Sequence, residues 1–142
     1  MPLSPDTRSG SLIEQAEQRL RPAFSFYRTN IVKCLPLSGG KIRYPVEHEM
    51  SKCFPNFEEE LANLRPSIVF LLGKQVATFI LKKYGIKTVI FDENFEFSHF
   101  YLNDTCFVPI HHPSYILVYK RRFIDDYIAA IHRTVNSILV EV

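Results

Sequence analysis

Between Pro66 and Lys74 the chain runs SIVFLLG, residues 67–73, and this short segment constrains the fold more than any other. It is nearly all apolar and does not alternate, so it suits a strand buried on both faces, as in a parallel sheet covered by helices. The flanks agree. Arg65-Pro66 closes what precedes it, and KQVATFILKKYG reads as a helix of about three turns with Gly85 as its C-terminal cap. A second apolar run, TCFVPI at 105–110, reads as a further strand and ends abruptly at His111-His112-Pro113-Ser114.

The remaining segments fit the same alternation of helix and strand. A helix capped by Ser9 or Ser11 carries Leu12, Ile13, Ala16 and Leu20 on one face. FSFYRTNIV, 24–32, is aromatic and β-branched and is expected to be a strand. CLPLSGGKIRYP, 34–45, is turn chemistry. Met50, Cys53, Phe57, Leu61 and Leu64 share one face of a helix starting near Val46, which Pro55 should kink or divide. KTVIF, 87–91, reads as a strand, and NFEFSHFYL, 94–102, alternates as a hairpin or edge strand does. A last helix from about Arg121 places Ile124, Tyr127, Ile128, Ile131, Val135 and Ile138 on one stripe. The expected class is α/β, a three-layer arrangement with a short, largely parallel central sheet flanked by helices.

Totals narrow the function classes. A chain of 142 residues is expected to be a single domain, 1–142, and 46% hydrophobic with 23% charged residues is ordinary for a globular protein. A net charge of +2 means that any nucleic-acid site must be a local basic patch. Cys34, Cys53 and Cys106 form no CxxC pair and leave an odd cysteine in any disulfide scheme, which reads as a reduced, intracellular, cytoplasmic protein. No apolar run reaches the ~18 residues of a membrane span, so no membrane partner is expected. SGGK and LLGKQ lack the spacing of a phosphate loop, which argues against an unrelated nucleotide-binding α/β protein.

In open sheets, ligands bind beyond the carboxyl ends of the strands. Two polar clusters fall there, Arg28-Thr29-Asn30 and His111-His112-Pro113-Ser114, and the rule puts both at one edge. The Asn30 amide can donate and accept, as reading a base edge requires, or it can close a turn on its own backbone. Pro113 holds His112 extended, so the ring can donate to an anionic oxygen or shuttle a proton, or it can be a capping or partly buried histidine. His111 reads as the more structural of the pair, and His48, His99 and His132 as surface residues. Tyr119-Lys120-Arg121-Arg122 offers phosphate contacts or a solvated helix start ahead of Asp125-Asp126. Cys34 and Cys53 are two thiols where a metal site needs about four ligands, and Cys106 reads as a small core residue.

Taken in order, YRTNIVKCLP, a cysteine in the following helix, LRPSIVFLLGKQVA and VPIHHPSYIL resemble the uracil-DNA glycosylase superfamily over roughly Ser25–Ile131, closest to its iron–sulfur-cluster-bearing branch. The resemblance implies removal of uracil or a related modified pyrimidine from DNA by base flipping and hydrolysis of the N-glycosidic bond. The alternative it leaves is a catalytically inactive member that binds DNA or a protein partner. It matches Asn30 to the asparagine that hydrogen-bonds the flipped base and His112 to the histidine that stabilises the departing anion. Ser114, Tyr115 and Arg121 fall in the segment that contacts DNA, and Cys34 and Cys53 match two of four cluster cysteines. The family's opening strand, with its water-positioning motif, and the first two cluster cysteines have no counterpart, so the expected sheet lacks its first central strand. The chain is therefore read as N-terminally incomplete, with no cofactor expected as it stands and a [4Fe-4S] cluster only in a longer form.

Overall fold

The computed structural model describes residues 7–21, 23–29, 37–38, 41–42 and 46–141. The chain divides into two compact units, Met1–Arg28 with Ser67–Val142, and Thr29–Pro66. Each is described by itself.

The larger unit is built on a three-stranded mixed sheet. With β1 (Leu37–Ser38) and β2 (Lys41–Ile42) in the smaller unit, its strands are β3 (Ile68–Leu72), β4 (Phe100–Leu102) and β5 (Thr105–Ile110), in the order β3-β5-β4. The β3 and β5 strands pair in parallel, Ile68 opposite Cys106 through Leu72 opposite Ile110, as their apolar character predicts. The β4 strand pairs antiparallel with β5 across the two-residue turn Asn103-Asp104, with Asn103 at φ 57°. The sheet is thus mixed rather than largely parallel. Of the alternating run 94–102, only its last three residues join the ladder.

Three layers follow from the pleat. Ile68, Phe70 and Leu72 of β3 share a face with Cys106, Val108 and Ile110 of β5, and this face meets Leu12 and Ala16 of α1 (Arg8–Gln18) and Tyr127, Ile128 and Ile131 of α5 (Ile124–Glu141). On the opposite face Phe107 meets the Tyr84 ring at 5.8 Å, beside α3 (Lys74–Lys83), which packs on β3 and β5. Side chains buried or partly buried on both faces explain why neither strand alternates in sequence. The apolar stripe of α5 is buried as its periodicity predicts, with Tyr127, Ile128, Ile131, Val135 and Ile138 all in the core.

Caps define the helix ends. The hydroxyl of Thr7, not Ser9 or Ser11, accepts from Gly10 N at 3.0 Å and so starts α1 earlier than the sequence suggested. Gly85, at φ +87°, closes α3 as expected, its N–H bonded to Lys82 O while Ile86 N–H reaches Leu81 O.

Two expected strands do not form among the described residues. Residues 24–29 join no ladder, although Phe24, Phe26 and Arg28 are partly buried and their neighbours exposed. That alternation records side chains docked in the protein, not strand pairing. KTVIF also makes no ladder, and Ile90 is 70% exposed. A β-branched run becomes a strand only where a sheet edge receives it.

In the smaller unit, α2 (Glu47–Leu64) runs as one helix through Pro55, which the sequence suggested would kink or divide it; it is not divided. Its N-terminus is held by Val46 N–H on Glu49 Oε1, and it ends at Arg65 in the left-handed region, just before Pro66. The β1–β2 pair is antiparallel. Among the described residues, no helix is long and apolar enough to cross a membrane.

Candidate functional site

The carboxyl ends of β3 and β5 meet at Gly73 and His112. The Gly73 N–H donates to Ile110 O at 2.9 Å and extends the parallel ladder past its last strand residues. At φ +96° Gly73 takes a backbone conformation that favours glycine, and a Cβ there would lie 3.3 Å from His112 Cβ. Strand β5 therefore delivers His112 against a residue with no side chain.

The chain next turns into α4 (Pro113–Tyr119), a separate helix ahead of the last one, where the sequence suggested a helix only from about Arg121. Pro113 takes the first helical position, which suits its fixed φ and missing N–H. His112 is the N-cap residue, and its Nδ1 accepts from Ser114 N–H at 3.1 Å. A backbone N–H can only donate, so Nδ1 carries the lone pair and the proton of the neutral ring sits on Nε2. The Ser114 hydroxyl, 2.8 Å from the same nitrogen, then donates to it as well. Burial pushes the His112 pKa down from its ordinary value, which favours the neutral ring. Two of the roles open to His112 from sequence, helix cap and hydrogen-bond donor, thus describe one arrangement: capping through Nδ1 leaves Nε2–H to donate.

His111 is structural, as expected. Its ring is stacked on Tyr115 at 5.0 Å and 13°, and it meets Phe91 and Phe95 at 5.4 and 5.6 Å. Its Nε2 donates to Asp92 O at 3.0 Å, because a carbonyl can only accept. Its own carbonyl accepts from the buried Tyr127 hydroxyl at 2.6 Å. His48 is exposed; His99 and His132 are half-buried.

The remaining candidates divide. The Ser114 hydroxyl is engaged with the His112 ring. Tyr115 is packed on His111, and its hydroxyl donates to Glu93 Oε1 at 3.4 Å. Lys120 pairs with Glu93 at 2.8 Å, and this contact draws the Glu93 carboxyl below and the Lys120 ammonium above their ordinary pKa values. Arg121 is exposed and makes no ion pair among the described residues, and Arg122 lies over the Phe123 ring. Asn30 and Cys34 lie outside the described residues. Cys53 is a half-buried thiol on α2, while Cys106 is enclosed in β5. Among the described residues no three His, Cys, Asp or Glu side chains come together as a metal cage. The two described thiols do not supply the four sulfurs of a cluster.

One strong feature has little trace in the sequence. Arg28 clamps the buried Glu17 with Nε at 3.0 Å and a second nitrogen at 2.6 Å, and reaches Glu14 at 2.8 Å. The Glu17 contact pushes the guanidinium pKa still higher. This network ties the segment leading to Thr29 onto α1. Its only sequence signal is Glu14 and Glu17 three apart on one helix face.

A sequence profile of the Uracil DNA glycosylase superfamily matches residues 7–135. A curated relative, the type-4 uracil-DNA glycosylase of Saccharolobus solfataricus (strain ATCC 35092 / DSM 1617 / JCM 11322 / P2), is 34% identical over 59 residues, which span 42% of this chain and 26% of that protein. With the α/β architecture and the histidine at the end of β5, these matches place the chain: it belongs to the uracil-DNA glycosylase superfamily, near the iron–sulfur branch.

Proposed function

We propose that this chain acts as a DNA glycosylase that removes uracil or a related modified pyrimidine by base flipping and hydrolysis of the N-glycosidic bond. The observation that carries the reading is the state of His112: a neutral ring, its Nδ1 committed to Ser114 and its Nε2–H left to donate.

When the bond between C1′ and the pyrimidine nitrogen breaks, the electron pair leaves with the base, and its charge spreads onto the ring oxygens. Water supplies the oxygen of the new C1′–O bond, and the proton it releases ends on the departed base. A donor already aimed where that charge appears lowers the barrier without reorganising at the moment of reaction. A neutral imidazole suits this task, since it gives a hydrogen bond to the anion and remains a donor throughout. The bond is reached by turning the nucleotide out of the stack. In this reading Asn30 hydrogen-bonds the extruded base. Ser114 holds His112 and, with Tyr115 and Arg121, faces the DNA backbone. The exposed guanidinium of Arg121 is a ready phosphate contact.

The test incubates the purified chain with single-stranded DNA containing one uracil and scores abasic sites after alkaline cleavage. Cleavage that falls about 10²–10³-fold in His112→Ala is the expected result, the usual cost of losing one such donor. An active chain that keeps its rate in His112→Ala would overturn the mechanism. Uracil-DNA binding with no cleavage would favour the inactive, DNA-binding reading instead.

A further inference from the structure

Three successive carbonyls run through the turn that carries His112, and each is held. Ile110 O accepts from Gly73 N–H at 2.9 Å, His111 O from the Tyr127 hydroxyl at 2.6 Å, and His112 O from Tyr115 N–H at 2.9 Å. Two of these donors are backbone groups supplied by the sheet and by α4. The third comes from a side chain on α5, sixteen residues further along. The Tyr127 ring is fully buried, with Phe95 and Phe97 edge-on at 5.7 and 6.3 Å, so the hydroxyl has a fixed direction.

We propose that Tyr127 is a positioning residue for His112: its hydroxyl locks the His111–His112 peptide plane and thereby sets the orientation of the His112 ring. The inference rests on the reading of His112 as the functional donor, and it assigns α5 a part in the site beyond packing. A phenol buried for packing alone would cost free energy through its hydroxyl, and phenylalanine would fill the space without that cost. Here the hydroxyl takes the one carbonyl in the turn that neither the sheet nor the helix satisfies. With the peptide fixed there and Gly73 against its Cβ, His112 has few ways to move, and Ser114 then fixes the ring itself.

The experiment is histidine-ring ¹⁵N NMR of the full chain near neutral pH, with melting temperature followed in parallel. In the wild type, His112 is expected as a single Nε2–H tautomer with Nδ1 accepting. In Tyr127→Phe the chain is expected to fold, while the His112 signals shift toward a mixture of tautomers and Nε2–H exchanges faster with water. Phe95→Leu removes a ring that touches both His111 and Tyr127 but donates no bond; it is expected to lower the melting temperature and leave the His112 tautomer unchanged. A folded Tyr127→Phe with an unaltered His112 spectrum would overturn the proposal. So would a Tyr127→Phe chain that fails to fold, or a Phe95→Leu spectrum altered to the same degree. In the glycosylase assay Tyr127→Phe is expected to lower kcat roughly five- to ten-fold, the worth of one hydrogen bond, with KM unchanged. A rise in KM at unchanged kcat would count against it. The spectra need no DNA, so an inactive wild type would overturn the glycosylase reading while the spectral result for Tyr127 stands.

Discussion

Substituting Gly73 by alanine tests the close approach of β3 to His112. Gly73 lies at φ 96° and ψ 157°, a region used almost solely by glycine, where another residue costs about 1–3 kcal/mol. The new Cβ would also lie 3.3 Å from His112 Cβ, tighter than ordinary contact, and crowding of that kind costs about 1 kcal/mol at the low end. Against this, alanine restricts the unfolded chain and returns about 0.4–1 kcal/mol. The net is a loss of about 2 kcal/mol. For a chain of 142 residues each kcal/mol moves the melting temperature by roughly 3–4 °C, so a drop of about 7 °C is expected.

Gly85→Ala supplies the comparison. Gly85 also has a positive φ, +87°, but a Cβ there meets nothing within 4 Å. Its loss should be backbone strain alone, about 1 kcal/mol and roughly 3–4 °C. The assay is thermal unfolding by circular dichroism, with the His112 ring signals read by NMR at a temperature where each variant is folded. Gly73→Ala should melt lower than Gly85→Ala and displace the His112 resonances; Gly85→Ala should leave them in place. Equal melting temperatures with His112 unmoved in both variants would refute the claim that Gly73 is glycine to admit His112.

Other outcomes follow from the charged groups. Arg28→Ala leaves the buried Glu17 carboxylate only the longer, more exposed contact from Arg21 at 3.4 Å, and urea unfolding should show a loss of about 3 kcal/mol, the low end for a broken buried pair, whereas replacing Arg28 and Glu17 together by methionine should recover most of it. Because burial lowers the His112 pKa, the unfolded chain binds the proton more readily than the folded one. This contribution to stability is complete above the ordinary histidine value of about 6.5 and is lost as pH falls through the folded value, so His112→Gln should flatten the urea midpoint of the wild type over that acidic window. Lys120→Met should raise the Glu93 carboxyl pKa toward its ordinary value in a ¹³C titration, with little change in melting temperature, since that pair lies at the surface.

The parts of the molecule set by local pattern are visible in the sequence. The non-alternating runs of β3 and β5, the stripe on α5 and the cap at Gly85 each depend on residues near in sequence, and each forms where its period or cap chemistry places it. His112 stands out because Pro113 restricts its backbone and an apolar strand delivers it. Where pattern and pairing separate, sequence misleads. The runs at 24–29 and 87–91 have strand composition, but a strand exists only when another edge completes its hydrogen bonds. Residues 113–119 contain a proline that looks like part of a loop, and only His112 at the N-cap turns it into the first turn of a helix.

By itself, then, the sequence determined the α/β class, the superfamily and the histidine on which a functional reading turns, because these rest on periodicity and on motifs a few residues long. The tertiary structure decided the chemical state of that histidine. Its tautomer depends on the Ser114 N–H at Nδ1, its neutrality on burial, and its place on a glycine from β3 and a hydroxyl from α5. Those contacts join residues distant along the chain. Hydrogen bonding and desolvation act through space at a few ångströms, and only the folded chain brings such groups within that range.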